Sequence, residues 1–158
     1  MGQQGSKPPE RAEMAEKTGV FAMRDKGLTA VPDKVFQIAK LHALDLSQNK
    51  IIKLPPTVRN LVKLKTLSMD SNKLTDLPDN LCELKELTSL SVSHNALTVL
   101  PDALGALGKC KKLVVSHNRC VRRSRTAGCR TLLTAVPAGC HILVSASCCP
   151  CPQPGGSS

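Results

Sequence analysis

Residues 64–78 read LKTLSMDSNKLTDLP, and this stretch decides the fold because it recurs on both sides of itself. The same pattern begins at Leu41 and at Leu87, so the period is 64 − 41 = 23 residues and again 87 − 64 = 23 residues. Each copy has apolar residues at positions 1, 4, 6, 11 and 14, asparagine at position 9 and proline at position 15. Three copies that agree at seven positions indicate an array of internal repeats.

The frame extends by one repeat in each direction. The earlier copy starts at Thr18 and carries Lys26 where asparagine is expected, and the later copy starts at Cys110 and keeps Asn118. Their apolar positions are occupied in register by Phe21, Met23, Leu28 and Val31 and by Leu113, Val115 and Cys120. We therefore predict repeats over residues 18–120, starting at 18, 41, 64, 87 and 110.

Apolar residues at positions 1, 4 and 6 suit a short strand that turns alternate side chains inward. A second apolar pair in each repeat predicts a return through a helical or 3₁₀ segment: Val35 and Ile38, Val58 and Leu61, Leu81 and Leu84, Leu104 and Leu107. The whole pattern resembles the leucine-rich repeat family. That resemblance implies an α/β solenoid with short parallel β-strands on the concave face, helical or 3₁₀ segments on the convex face, and an asparagine ladder that bonds the backbone of adjacent turns.

The resemblance also implies that ligands bind the concave face, through the strand residues between the inward positions. The predicted partner-binding residues are Arg24, Asp45, Ser47, Ser68, Asp70, Ser91, Ser93, His94 and Ser116. This face is small and polar and lacks the Tyr, Trp and Arg anchors of tight interfaces, so we expect weak or partner-assisted binding to a protein. His94 and His117 share a column and should lie close together, but the residues around them predict no metal site.

The sequence predicts no catalytic residue, cofactor or metal. It contains no nucleophile with its base, no paired carboxylates in one column and no Gly-rich phosphate loop. We therefore expect a monomeric, non-enzymatic protein-binding module. A regulatory subunit of a signalling enzyme is an alternative, because repeat modules of this kind often accompany phosphatases, ligases or small GTPases.

The N-terminus carries a lipidation motif. Residues 1–6 read MGQQGS and fit M-G-x-x-x-[ST], so we predict myristate on Gly2 in a flexible segment over residues 1–8. Residues 9–17 predict a helix that caps the first repeat, and Gly19 can end it. Residues 16–21, EKTGVF, with GLT at 27–29, resemble the N-terminus of leucine-rich repeat-containing protein 57 and its relatives. This resemblance implies a cytoplasmic, membrane-associated adaptor without catalytic residues.

Residues 121–158 predict a divergent, poorly ordered tail that is basic and rich in cysteine. Lys and Arg minus Asp and Glu gives 17 − 12 = +5 for residues 1–118 and 5 − 0 = +5 for residues 119–158. The basic cluster comprises Arg119, Arg122, Arg123 and Arg125, with Arg130 nearby. An alternative function is therefore binding of an anionic ligand, acidic lipid or nucleic acid, although nucleic acid is not the favoured partner.

Two interpretations account for the end of the array, where Arg123 and Ser124 replace the expected Leu and Pro. Residues 133–137 repeat the LTAVP of residues 28–32, so the fifth repeat could resume after a 13-residue insertion and place Cys140 and Leu143 at inward helical positions. Alternatively, residues 119–158 arise from a splice or gene-model error and the stack ends uncapped. The cysteines near the C-terminus predict incidental thiols, with palmitoylation or zinc as alternatives.

Overall fold

Each repeat contributes one short strand to a parallel sheet. The computed structural model describes residues 14–101, 104, 106–119, 122–123 and 140–143. The sheet strands are β1 (Val20–Ala22), β2 (Ala43–Asp45), β3 (Thr66–Ser68), β4 (Ser89–Ser91), β6 (Lys112–Val114) and β8 (His141–Leu143), and they pair in the order β1-β2-β3-β4-β6-β8. Each residue of β1, β2, β3 and β4 pairs with the residue 23 positions further along the chain, as in Leu44↔Leu67 and Leu67↔Leu90. The predicted α/β solenoid is confirmed.

The chain returns to each new strand through a short 3₁₀ helix on the opposite side. These helices are η1 (Asp33–Gln37), η2 (Pro56–Asn60) and η3 (Asp79–Glu83). Each begins after a proline at repeat position 15, namely Pro32, Pro55 and Pro78, whose backbone is extended. Since proline fixes φ near −65° and has no N–H to leave unpaired, it ends the extended segment and starts the turn. A second, two-stranded sheet pairs β5 (Val99–Leu100) with β7 (Arg122–Arg123). Along the chain, β5 follows β4 and comes before the return segment of its repeat.

The core is a continuous aliphatic layer between the sheet and the returns. Leu44, Leu67 and Leu90 occupy equivalent positions in successive strands, and all three are fully buried. The predicted inward pairs of the return segments, from Val35 and Ile38 to Leu104 and Leu107, are also buried. Burial of one such side chain stabilises the fold by roughly 1.5–3 kcal/mol, so neighbouring repeats must stack before any of them is stable.

The predicted asparagine ladder is present. Asn72 Nδ2 donates to the carbonyls of Leu46, 3.0 Å away in the preceding repeat, and of Met69, 3.1 Å away in its own repeat. Its Oδ1 accepts the N–H of Ile51, again in the preceding repeat, at 3.1 Å. The same pattern recurs at the other asparagines of this column, Asn49, Asn95 and Asn118. These bonds satisfy buried backbone groups at the bend, which would otherwise be costly.

A helical turn at residues 14–18 covers the first repeat. Ala15 is fully buried in the core, and the N–H of Gly19 donates to its carbonyl at 2.8 Å. Gly19 has φ +70°, a left-handed conformation that ends the helix one residue after the predicted end. The predicted start of this helix and Gly2 both lie outside the described residues. No helix in the described part of the chain is both long and apolar enough to cross a membrane.

The last repeat differs from the insertion that the sequence suggested. The strand β7 keeps the 23-residue register, because Val99 pairs with Arg122, so the backbone order continues where the side chains depart from the pattern. The next strand is delayed: Lys112 pairs with His141, and 141 − 112 = 29, so this repeat is six residues longer than the others. Cys140 directly precedes β8 and Leu143 is its last residue, so neither occupies the inward helical position that the sequence suggested. A strand also follows β6, so the sheet does not end at residue 120.

Candidate protein-binding surface

The strands align their outward side chains in columns on the concave face. Because neighbouring strands are parallel and in register, residues separated by one repeat lie side by side. One column contains Val20, Ala43, Thr66, Ser89 and Lys112, and the next contains Ala22, Asp45, Ser68, Ser91 and Val114. All of these residues are exposed or half-buried. The face is therefore an accessible surface, mostly of small and polar side chains, and its first column continues from Lys112 to the exposed His141 of β8.

A chain of hydrogen bonds crosses this face from the first repeat to the third. Arg24 Nε lies 2.7 Å from Asp45 Oδ2, and Asp45 Oδ1 accepts the N–H of Ser47 at 3.1 Å. The hydroxyls of Ser47 and Ser68 are 3.0 Å apart, and Ser68 Oγ donates to Asp70 Oδ2 at 3.2 Å. Two of these four bonds join different repeats, so the polar side chains hold one another in fixed positions before a ligand arrives.

Asp70 is the most connected carboxylate of the face. Ser91 Oγ, from the following repeat, lies 2.7 and 2.8 Å from its two carboxylate oxygens. The N–H of Ser93 donates to Asp70 Oδ1 at 2.7 Å. Hydrogen bonds to an ionised acceptor are stronger than neutral ones, so Asp70 joins the third and fourth repeats from the concave side.

The structure separates the predicted site residues into two groups. Arg24, Asp45, Ser68, Asp70, Ser91, His94 and Ser116 are exposed or half-buried and line the face or its edge. Ser47 and Ser93 are only 4% and 8% exposed, so little of either side chain is accessible, and their contact with a partner stays a prediction. They share repeat position 7 with Arg24, Asp70 and Ser116, which are exposed or half-buried, and in this column each of the two short side chains lies beside the longer Asp70. Among the described residues, Ser93 Oγ is a buried polar atom without a hydrogen-bond partner.

The imidazole rings of His94 and His117 stack at one edge of the concave face. Their ring centroids are 4.1 Å apart and their planes differ by 7°, which confirms the predicted proximity. Both residues have positive φ, 53° and 55°, as do Gln48 and Ser71 in the same column. The bend before the asparagine requires this backbone, which brings the two rings into line. Within the described ranges, no group of three or more His, Cys, Asp and Glu side chains is placed to hold a metal ion.

Sequence reasoning missed an ion pair at the opposite edge. Lys109 Nζ binds Glu86 Oε1, one repeat away. The hydrogen bond and charge of Lys109 lower the pKa of the Glu86 carboxyl, and the charge of Lys65 adds to the effect. The sequence does contain a signal for this pair, because Glu86 and Lys109 carry opposite charges and are separated by 23 residues, the length of one repeat. Both side chains are well exposed, so we expect this pair to fix the edge of the surface more than to stabilise the fold.

The structure describes only part of the predicted basic cluster. Arg119 is exposed, and Arg122 and Arg123 form β7 beside β5. Arg125 lies outside the described residues, as does Gly2.

Parallel strands, an asparagine ladder and an accessible polar concave sheet define a solenoid of the ligand-binding repeat class. The chain belongs to the leucine-rich repeat family, since the family model described as a leucine-rich repeat region matches residues 21–135. Proteins of this family are generally non-catalytic interaction modules. No curated protein sequence matches the chain.

Solved structures with the same fold come from distant organisms. A leucine-rich repeat protein of Leptospira interrogans has a TM-score of 0.60 at 21% identity, over 80% of this chain and 41% of its own. An internalin of Listeria monocytogenes has a TM-score of 0.63 at 21% identity, over 84% of this chain and 36% of its own. The BIR2 ectodomain of Arabidopsis thaliana has a TM-score of 0.58 at 30% identity, over 66% and 56%. The chain thus spans about a third to just over a half of these structures.

Proposed function

We propose that this chain is a non-catalytic module that binds a protein partner through its concave face. The observation that carries the proposal is the hydrogen-bonded row from Arg24 to Ser91, which presents donors and acceptors in fixed positions on an accessible sheet. Preorganised side chains lose little conformational entropy on binding, which compensates for the absence of aromatic anchors. Family membership supports the same conclusion.

Matched charge variants test which face is used. The variant A22E/T66E/K112E changes the concave face by four charge units at exposed positions with no described side-chain hydrogen bond. The control K34E/A39E/T57E makes the same change at exposed positions of the convex side. Proteins captured from cells by the parent chain should be lost with the first variant and kept with the control. Equal retention by both variants contradicts the proposal, once circular dichroism shows that both are folded.

The proposal includes a cytoplasmic, monomeric adaptor that is tethered to a membrane through myristate on Gly2. It is supported by the MGQQGS motif and by the resemblance of residues 16–29 to leucine-rich repeat-containing protein 57 and its relatives. A single myristoyl group gives only marginal membrane affinity, so attachment should be reversible. Labelling with an alkyne analogue of myristate should mark the parent chain and not G2A. Equal labelling of both chains, or none, would remove the tether and leave the binding module.

A further inference from the structure

We propose that Cys110 and Cys140 form a disulfide that locks the last strand onto the solenoid. The two sulfur atoms lie 3.8 Å apart, with Cys140 Sγ donating to Cys110 Sγ. Both are free thiols in this structure, as is Cys82, the remaining described cysteine. This disulfide is independent of the concave binding surface and concerns the end of the repeat stack.

The backbone brings the two thiols together. Cys110 lies two residues before β6 and Cys140 one residue before β8, at the same end of paired parallel strands. The N–H of His141 donates to the carbonyl of Lys111 at 2.8 Å, which fixes the two chain segments beside each other. Neighbouring strands are about 4.8 Å apart, within the range of Cα separations of about 4.4–6.8 Å that a disulfide spans. Bond formation therefore needs only a small approach of the sulfurs.

The difference in burial between the two thiols indicates which of them reacts first with an oxidant. Cys110 is 5% exposed, and its Sγ donates to the carbonyl of Lys112. Burial, and then the neighbouring Cys140, raise the pKa of the Cys110 thiol to about 12, so it is a poor first nucleophile. Cys140 is half-buried and can meet a small reagent. Cys140 should therefore react first and Cys110 should resolve the product.

The oxidant is a low-molecular-weight disulfide such as oxidised glutathione. The Cys140 thiolate attacks one glutathione sulfur, the glutathione S–S bond breaks, and the first glutathione leaves and takes up the proton lost by Cys140. The Cys110 thiolate then attacks Cys140 Sγ, the mixed disulfide breaks, and the second glutathione leaves with the proton lost by Cys110. Two protein thiols are oxidised by two electrons, and one glutathione disulfide is reduced to two thiols.

The test uses the full chain with Cys120, Cys129, Cys148, Cys149 and Cys151 replaced by alanine, which leaves the three described cysteines. After incubation with oxidised glutathione, free thiols are blocked with N-ethylmaleimide and the chain is digested with trypsin. The peptide 131–158 contains Cys140, the dipeptide 110–111 contains Cys110, and the peptide 74–85 contains Cys82. Mass spectrometry should find peptide 131–158 linked to dipeptide 110–111, with Cys82 alkylated.

Two further variants in this background act as controls. C82S should leave the linkage unchanged, whereas C110S should stop the reaction with one glutathione retained on Cys140. In the native chain, the same oxidation should raise the protection of the His141 N–H from hydrogen exchange, and reduction should reverse it. Alkylation of both Cys110 and Cys140, a persistent glutathione adduct when Cys110 is present, or linkage through Cys82 would each overturn the proposal.

Discussion

The N–H of Ser93 donates a 2.7 Å hydrogen bond to the carboxylate of Asp70, one full repeat earlier in the chain. The side chain of Ser91 binds the same carboxylate. A residue of the predicted binding face is therefore also a structural link between two repeats. Variants of this face that aim to weaken ligand binding must avoid Asp70, because they would weaken the stack as well.

Replacing Asp70 by alanine should destabilise the chain. The change leaves the half-buried hydroxyl of Ser91 and the N–H of Ser93 without their acceptor, so we expect a loss of about 1–3 kcal/mol in the free energy of unfolding. Urea denaturation measures this loss. The matched control is D76A, because Asp76 is exposed and its described hydrogen bond comes from the adjacent Thr75. Equal losses in D70A and D76A would show that the contacts of Asp70 do not join the repeats.

Replacing Asn72 by alanine should have a larger effect. Its amide serves the carbonyls of Leu46 and Met69 and the N–H of Ile51, and these groups are buried at the bend. Each buried backbone group left unpaired costs about 1–3 kcal/mol, so a loss of about 3 kcal/mol or more is expected from urea denaturation. The exposed Asn60, at the end of η2, provides the control N60A. A loss below about 1 kcal/mol, the net value of one ordinary hydrogen bond, would mean that water replaces the bonds of the ladder.

Gly19 and Gly27 separate backbone strain from steric overlap. Both have positive φ, but a Cβ on Gly19 would overlap the His42 side chain and lie 3.0 Å from the Lys40 carbonyl, whereas a Cβ on Gly27 meets nothing. We expect G27A to lose about 1 kcal/mol from left-handed strain alone. G19A should lose more, because the contact with the Lys40 backbone cannot be relieved by a side-chain rotation. Thermal unfolding of the two variants compares these effects, and an equal loss would contradict the overlap.

Stability should fall at alkaline pH because of the Cys82 thiol. Burial, and then the carboxylate of Asp79, raise the pKa of Cys82 from 9.0 to about 11. The unfolded chain ionises at the lower pKa, so the contribution to stability is complete below about pH 9 and is lost as the pH rises through about 11. The difference between 9.0 and about 11 corresponds to about 3 kcal/mol.

The comparison with C82A isolates this thiol from the lysines that titrate in the same range. Urea denaturation under reducing conditions should show a difference in stability between parent and variant that is constant up to about pH 9 and shrinks above it. A difference that stays constant to pH 11 would show that Cys82 has an ordinary pKa. The alanine side chain keeps the site apolar, so the slope with pH reports the ionisation and not the lost packing.

The repeat pattern predicted those features that depend on local periodicity. The inward positions of Leu41, Leu64 and Leu87, the 3₁₀ returns and the asparagine ladder all follow from one 23-residue unit. The proximity of His94 and His117 followed from the same arithmetic, because parallel strands in register place equivalent residues side by side. These predictions hold because each repeat contacts mainly its neighbours.

The features that were not predicted depend on geometry that the pattern does not encode. Ser47 and Ser93 are surface residues by alternation, but they are buried, whereas Arg24, Asp70 and Ser116 at the same repeat position are exposed or half-buried. The difference depends on the side chains of neighbouring repeats, which the position in the repeat does not encode. The last repeat was harder, because β8 pairs through backbone groups and Lys112↔His141 has no signature in the side chains. The matching LTAVP segment suggested a different insertion, since a five-residue match does not determine where a strand begins.

The asparagine ladder gives the array a direction. Each asparagine bonds the backbone of the repeat that precedes it, as Asn118 does with the N–H of Leu97 and the carbonyl of Val92. Within the ladder, removal of the fifth repeat would therefore leave backbone groups of the fourth without a side-chain partner, whereas removal of the first would leave the side chain of Asn49 without part of its partners. Both removals would also break backbone bonds between repeats, such as those from the His42 N–H to the Gly19 carbonyl and from the Lys111 N–H to the Thr88 carbonyl. The ladder therefore makes the two ends of the solenoid inequivalent: an opened C-terminal end bears backbone groups that have lost their asparagine, whereas an opened N-terminal end bears an asparagine that has lost its backbone partners.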